Sequence, residues 1–130
     1  MNAPIHVEGL HFAYNKTPVL KGVDMRIQKG AFTTIVGPNG CGKSTFVKNL
    51  TRMVHSDKGV VTVNGRDLAS YSHKELSRIM ASVPQGTSAE FDFSAYEVVM
   101  MGRYPHLRRF QPETERDHRI VEEAMKATGV

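Results

Sequence analysis

The segment that most constrains this chain is IVGPNGCGKSTF, which occupies residues 35–46. It joins an apolar stretch to three glycines, a lysine and two hydroxyl residues. Glycine costs stability inside regular structure, so a cluster of glycines indicates that the backbone itself must approach something closely. The pattern G-x-x-x-x-G-K-S/T of a phosphate-binding loop is satisfied by Gly37, Pro38, Asn39, Gly40, Cys41, Gly42, Lys43 and Ser44.

The residue types at this spacing suit the binding of a nucleotide. Consecutive backbone N–H groups that no side chain shields can surround phosphate oxygens, and the N-terminus of the following helix adds its dipole. Lys43 supplies a positive charge to the outer phosphates, and Ser44 offers a hydroxyl to Mg²⁺, which prefers hard oxygen ligands. We expect Thr45 to reach an inner phosphate. The loop therefore predicts a nucleotide with Mg²⁺ as its ligand.

Composition predicts one soluble domain around this loop. The chain has 130 residues, of which 40% are hydrophobic, and this is enough for one core. It contains no apolar run of the roughly 20 residues that span a bilayer, and its amino terminus lacks the basic and apolar parts of a secretory signal. The single cysteine, Cys41, fits a reducing compartment. We therefore expect a cytoplasmic protein.

Charge and histidine content add little to this prediction. The formal net charge is +4, but the basic residues are dispersed apart from Arg103, Arg108 and Arg109. No arginine stripe interleaves with aromatic residues, so we predict no nucleic-acid partner. The six histidines show no metal-ligand spacing. Cys41 precedes a predicted helix, where thiolates are stabilised; a tolerated small residue is favoured there over a redox switch.

Hydrophobic periodicity predicts an α/β layout in the first part of the chain. Alternating apolar residues predict one strand from Ile5 to Tyr14 and another around Met25, and residues 31–36 read as a buried strand entering the loop. Phe46, Val47, Leu50 and Val54 recur at helical spacing after the loop. Residues 60–63 predict a strand that ends in the tight turn Asn64-Gly65.

The remainder of the chain reads as mostly helical. Residues 72–75 have capping-box form before a short helix, and residues 81–83 predict a short strand that Pro84 stops. Residues 94–101 read as a helix. A last helix is predicted from about Pro112 to Gly129, with acidic residues in its first turn.

Three features outside the loop indicate a family. Tyr14 lies in FAYNKTPVLKGVDMRI, Gln85 ends ASVPQ, and EVVMMGRYPHL follows soon after. Together with GPNGCGKST, they closely resemble the ATP-binding subunits of ABC transporters, and more narrowly those that drive import of iron–siderophore, haem and cobalamin complexes. The resemblance implies a P-loop NTPase core with an amino-terminal antiparallel β-subdomain, the start of a helical subdomain and an incomplete sheet. Residues 1–86 would form the β-subdomain and loop core, and residues 87–130 the start of the helical subdomain.

The same resemblance implies roles for single residues. Tyr14 would stack on adenine. Ser44 and Gln85 would be the two metal ligands that this chain supplies to Mg²⁺. Gln85 would also reach the attacking water, and it would act in catalysis together with Lys43. ATP and Mg²⁺ are the implied cofactors. The helical subdomain that grips a cytoplasmic helix of the membrane partner would contain Phe91, Phe93, Tyr96, Met100, Met101 and Tyr104, although apolar residues at this density could equally belong to the core.

The implied partners are the transmembrane permease subunits and a second ATP-binding subunit, with the protein peripheral on the inner face of the cell membrane. The chain contains no LSGGQ-like signature, no apolar run ending in Asp-Glu and no switch histidine. We therefore expect it to be the amino-terminal part of a longer ATPase. On its own, it would bind nucleotide at best, with negligible turnover and a marginal or self-associating fold.

Three alternatives stay open. A non-transport ABC ATPase acting on DNA or ribosomes is disfavoured by EVVMMGRYPHL, which resembles the importer group. A GTPase or small-molecule kinase is disfavoured because Asn15-Lys16-Thr17 lacks the aspartate of a guanine-reading motif and precedes the loop. A non-catalytic nucleotide-binding fragment is the third.

Overall fold

The computed structural model describes residues 4–86 and 92–130. It divides into two compact units, Met1–Ser72 and His73–Val130. This boundary precedes the predicted division after residue 86, which stays a prediction. No helix in the described part of the chain is long and apolar enough to cross a membrane.

The first unit is built on an antiparallel sheet with the strand order β2-β1-β3-β4. Its strands are β1 (Ile5–Tyr14), β2 (Thr17–Ile27), β3 (Lys58–Val63) and β4 (Arg66–Asp67). Two-residue turns close both hairpins: Asn15 and Lys16 have φ of 47° and 68°, and Asn64 and Gly65 have φ of 51° and 79°. Positive φ at both turn residues matches the twist of the flanking strands. The predicted strands around the first hairpin and the predicted turn at Asn64-Gly65 are confirmed.

One helix, α1 (Lys43–Leu50), follows the glycine loop in this unit. Phe46 and Leu50 are buried, as are Leu10 and Leu20 of the first hairpin. Val47 is exposed, and Val54 lies beyond the end of the helix. The predicted helix is therefore confirmed, but its apolar face is shorter than the spacing of the four residues indicates.

The second unit contains α2 (His73–Leu76), α3 (Ala95–Met101) and α4 (Glu115–Thr128). Ser94 caps α3 and Thr114 caps α4, each in a capping box with an acidic residue at the third helical position. Gly129 ends α4 with φ of 73°. The helices predicted over residues 94–101 and from about Pro112 are confirmed, although the cap at Thr114 starts the last one later than predicted.

Two predicted strands are wrong. Residues 31–36 and 81–83 have no regular structure, and Phe32, Val36 and Val83 are 96%, 82% and 98% exposed. A strand is stable only when neighbours bond to its backbone, and within the described residues no other strand pairs with either segment. Their apolar runs meet the sequence requirement for a strand, but the pairing that would fix them is lacking there.

Candidate functional site

The glycine loop is shaped by two left-handed glycines. Gly40 has φ of 80° and Gly42, the N-cap of α1, has φ of 98°, which residues with a side chain rarely adopt. A Cβ at residue 42 would also lie 3.1 Å from Leu20 Cδ2 and 3.2 Å from Val19 Cγ1. Gly42 is therefore required both by its backbone conformation and by the close approach of β2.

The start of α1 presents unpaired backbone donors. The N–H groups of Lys43, Ser44 and Thr45 have no acceptor within the described ranges, and the first helical bond runs from Phe46 N to Gly42 O at 2.8 Å. No side chain caps the helix, and no acidic residue occupies its first turn. Such a terminus carries a partial positive charge and favours an anion. The three backbone N–H donors at this terminus are therefore suited to bind the oxygens of a phosphate group.

The Lys43 side chain lies against the loop backbone. Its Nζ donates to the carbonyl oxygens of Gly37 and Pro38, both at 2.7 Å, and lies 3.7 Å from Cys41 Sγ. Carbonyl oxygens are the acceptors that an ammonium group takes when no anion competes. The positive charge is therefore already positioned within the loop.

The side chains of Ser44, Thr45 and Cys41, near Lys43 in the sequence, differ in how accessible they are. Ser44 is exposed at the first turn of α1, so its hydroxyl is accessible to a cation. Thr45 is buried, and its carbonyl accepts a bond from Asn49 Nδ2 at 2.9 Å. Cys41 is exposed, with its Sγ 2.8 Å from where a Cβ at Gly37 would lie. A larger group on this sulfur would crowd the loop, but neither interpretation of Cys41 is tested.

Tyr14 and Gln85 belong to different units. Tyr14 ends β1 in the unit that contains the loop, and the residue is 42% exposed. Gln85 lies exposed in a turn of the second unit, followed by Gly86 with φ of 69°. The loop residues and Tyr14 therefore share one unit, while the roles of both Tyr14 and Gln85 stay predictions.

An apolar cavity of about 210 Å³ lies beside the loop. Its apolar lining comes from Leu20, Val23, Met25, Ile35, Val36 and Phe46.

The sequence did not predict that Val19 and Leu20 support Gly42. The apolar pair before Lys21-Gly22 was the available signal, but contact between β2 and the loop is not local in sequence.

The predicted docking residues do not share one environment. Phe93, Met101 and Tyr104 are exposed, Tyr96 is half-buried, and Phe91 lies outside the described residues. Met100 is only 6% exposed and is therefore a core residue of the second unit rather than part of a surface. For this residue the core alternative that the sequence left open holds, because the two adjacent methionines of this short helix point in different directions.

Residues 20–130 match the ABC transporter family. The chain belongs to this family. It is 36% identical over 98% of its length to the ferric enterobactin transport ATP-binding protein of Escherichia coli K12, and 39% identical over 97% to a cobalamin import ATP-binding protein of Halobacterium salinarum. It spans 47% and 31% of those two proteins, which is less than half of each.

A solved structure supports the same fold. The chain aligns over 99% of its length, with a TM-score of 0.76 and 26% identity, to 46% of a chain from a transporter assigned to the metal-chelate ABC type, in an inward-facing conformation. The predicted family and the predicted partial α/β fold of an ABC ATPase are therefore confirmed.

Proposed function

We propose that this chain contributes the phosphate-binding loop of an ABC importer's ATP-binding subunit, and that the loop binds Mg-ATP. The observation that carries the proposal is the group of three unpaired N–H donors at the start of α1, beside the Lys43 ammonium. Phosphate oxygens would accept from these donors, and no carboxylate in the first helical turn opposes them. Tyr14 would stack on the adenine.

The metal would be held by hard oxygen ligands. Ser44 offers an exposed hydroxyl, and the family resemblance implies the amide oxygen of Gln85 as a second ligand. Bound Mg²⁺ would neutralise charge on the phosphates. In the parent ATPase, Gln85 would also orient the attacking water, while Lys43 stabilises charge on the transferred phosphate. The 130 residues contain no apolar run ending in a catalytic carboxylate, so we expect binding without appreciable turnover.

The names of the relatives support a proposal for the substrate class. Their names describe ferric enterobactin transport and cobalamin import, and EVVMMGRYPHL resembles the same importer group. We therefore propose import of an iron chelate, haem or cobalamin. Permease subunits and a second ATP-binding subunit would be the partners, and binding to the permease would keep the protein on the inner face of the membrane. Exposed Phe93, Met101 and Tyr104 supply apolar area suited to a permease helix.

Calorimetric titration of Mg-ATP tests the proposal. Wild type should bind, and Lys43→Ala should weaken binding at least about tenfold because it removes a charged donor to phosphate. Lys48→Ala is the matched control, since Lys48 is exposed in the last turn of the same helix. No binding by wild type, or equal loss in both variants, would reject the loop as a nucleotide site.

A further inference from the structure

Tyr14 has a buried aromatic neighbour on its own strand. The ring centroids of Phe12 and Tyr14 lie 4.7 Å apart, with the ring planes at 85°. Residues two apart on a strand share a face, which allows this contact. Phe12 is only 7% exposed, whereas Tyr14 is 42% exposed. One ring of the pair is therefore fixed in the core, and the other is open to solvent.

The edge-to-face geometry constrains the Tyr14 ring and leaves at least one of its faces uncovered by Phe12. Aromatic pairs favour this arrangement because the positive edge of one ring meets the negative face of the other. In such a pair, Phe12 covers at most one face of the Tyr14 ring, so a face is left for another planar group. We propose that Phe12 is a positioning residue that orients Tyr14 for stacking on a nucleotide base, an inference that rests on the proposed function above.

Packing connects the aromatic pair to the loop. Phe12 lies opposite Leu20 in the β1–β2 register, and both side chains are buried. Leu20 Cδ2 is also the atom nearest to the site of a Cβ at Gly42. The cross-strand neighbour of Phe12 therefore supports the N-cap of α1. Base stacking and phosphate binding would share one packed scaffold.

The hairpin turn restricts Tyr14 further. Tyr14 lies opposite Thr17 at the end of the strand pair, directly before the two left-handed residues Asn15 and Lys16. A two-residue turn fixes the register of its strands, so the backbone of Tyr14 has little freedom. The remaining freedom belongs to the ring, and within the described residues its aromatic neighbour is Phe12.

Two ligands separate stacking from phosphate binding. Mg-ATP and Mg-tripolyphosphate would be titrated into wild type, Phe12→Leu and Tyr14→Leu, with Phe110→Leu as an exposed aromatic control in the other unit. Stacking on one aromatic is worth enough that Tyr14→Leu should weaken Mg-ATP at least about fivefold. Phe12→Leu keeps an apolar core residue and should weaken Mg-ATP about threefold or more. Tripolyphosphate affinity should stay within about twofold throughout, because it has no base to stack.

The ratio of the two affinities distinguishes positioning from general damage. Phe12→Leu binding Mg-ATP as wild type does, while Tyr14→Leu does not, would overturn the inference and leave the proposed function intact. Equal weakening of both ligands by Phe12→Leu would also overturn it, because the residue would then act through the fold. Failure of wild type to bind tripolyphosphate would reject the proposed function, and the inference with it. Phe12→Met provides a second variant if Phe12→Leu melts early.

Discussion

Arg103 Nε donates to Asp117 Oδ1 at 2.9 Å, so a residue just after α3 is tied to the first turn of α4. The Asp117 carboxylate also accepts bonds from the hydroxyl and backbone N–H of Thr114, the N-cap residue, at 2.6 Å and 3.0 Å. These bonds from Thr114, followed by the bond from Arg103, lower the pKa of Asp117 from 3.8 to about 2. One buried carboxylate therefore caps a helix and joins two elements of the second unit.

Replacing Asp117 should make the thermal stability of the chain depend less on pH in the acidic range. Because the folded pKa is depressed, its stabilisation is complete above the unfolded pKa near 4 and is lost as pH falls towards 2. Asp117→Asn should therefore melt below wild type at pH 7, and the difference should close as pH falls from about 4 to 2. Circular dichroism melts at several pH values measure this. Asp92→Asn, an exposed substitution in the same unit, should change little; a constant gap for Asp117→Asn would contradict the linkage.

Two loop glycines should differ in their tolerance of alanine. Gly40→Ala meets no atom within 4 Å and bears only its left-handed φ, which costs about 1–2 kcal/mol. Gly42→Ala bears the same kind of strain and also crowds Leu20 and Val19. Urea unfolding should therefore show a larger loss for Gly42→Ala than for Gly40→Ala. The reverse order would mean that β2 does not support the loop as described.

Local signals correctly predicted features of both units. The glycine loop, the turn at Asn64-Gly65 and the C-terminal cap at Gly129 each depend on residues adjacent in sequence. The turn at Asn15-Lys16 was not predicted, because lysine is uncommon with positive φ; the two flanking strands impose it.

The features that the sequence did not predict depend largely on contacts between residues that are distant in the chain. Residues 31–36 have the composition of a buried strand, but within the described residues no strand pairs with them. The ring contact of Phe12 with Tyr14 and the support of Gly42 by Leu20 depend on side-chain directions and on register across the hairpin. Periodicity predicts faces of elements, and it does not predict which atoms meet.

Truncation to alanine should destabilise the chain strongly at one phenylalanine of the first unit and hardly at all at another. Phe46 is 4% exposed, so Phe46→Ala should cost about 3–5 kcal/mol through lost burial and a cavity. Phe32 is 96% exposed, so Phe32→Ala should change stability by less than about 0.5 kcal/mol and should reduce self-association. Urea unfolding and sedimentation velocity measure the two effects. A large stability loss in Phe32→Ala would show that residues 31–36 are buried in solution, by folding or by association.

Lys43 should also stabilise the chain when no nucleotide is present. Its two bonds to the carbonyls of Gly37 and Pro38 are charge-assisted but solvent-exposed, so Lys43→Ala should cost about 1 kcal/mol. Lys48→Ala, on the same helix, should cost less, because no described residue accepts a bond from its ammonium group. Added Mg-ATP should then raise the melting temperature of wild type and of Lys48→Ala, but much less that of Lys43→Ala, since a ligand stabilises only the state that binds it. Identical melting of all three proteins without nucleotide would contradict the loop bonds, whereas an equal rise with nucleotide would contradict the phosphate role, so the two functions of this side chain can be tested separately.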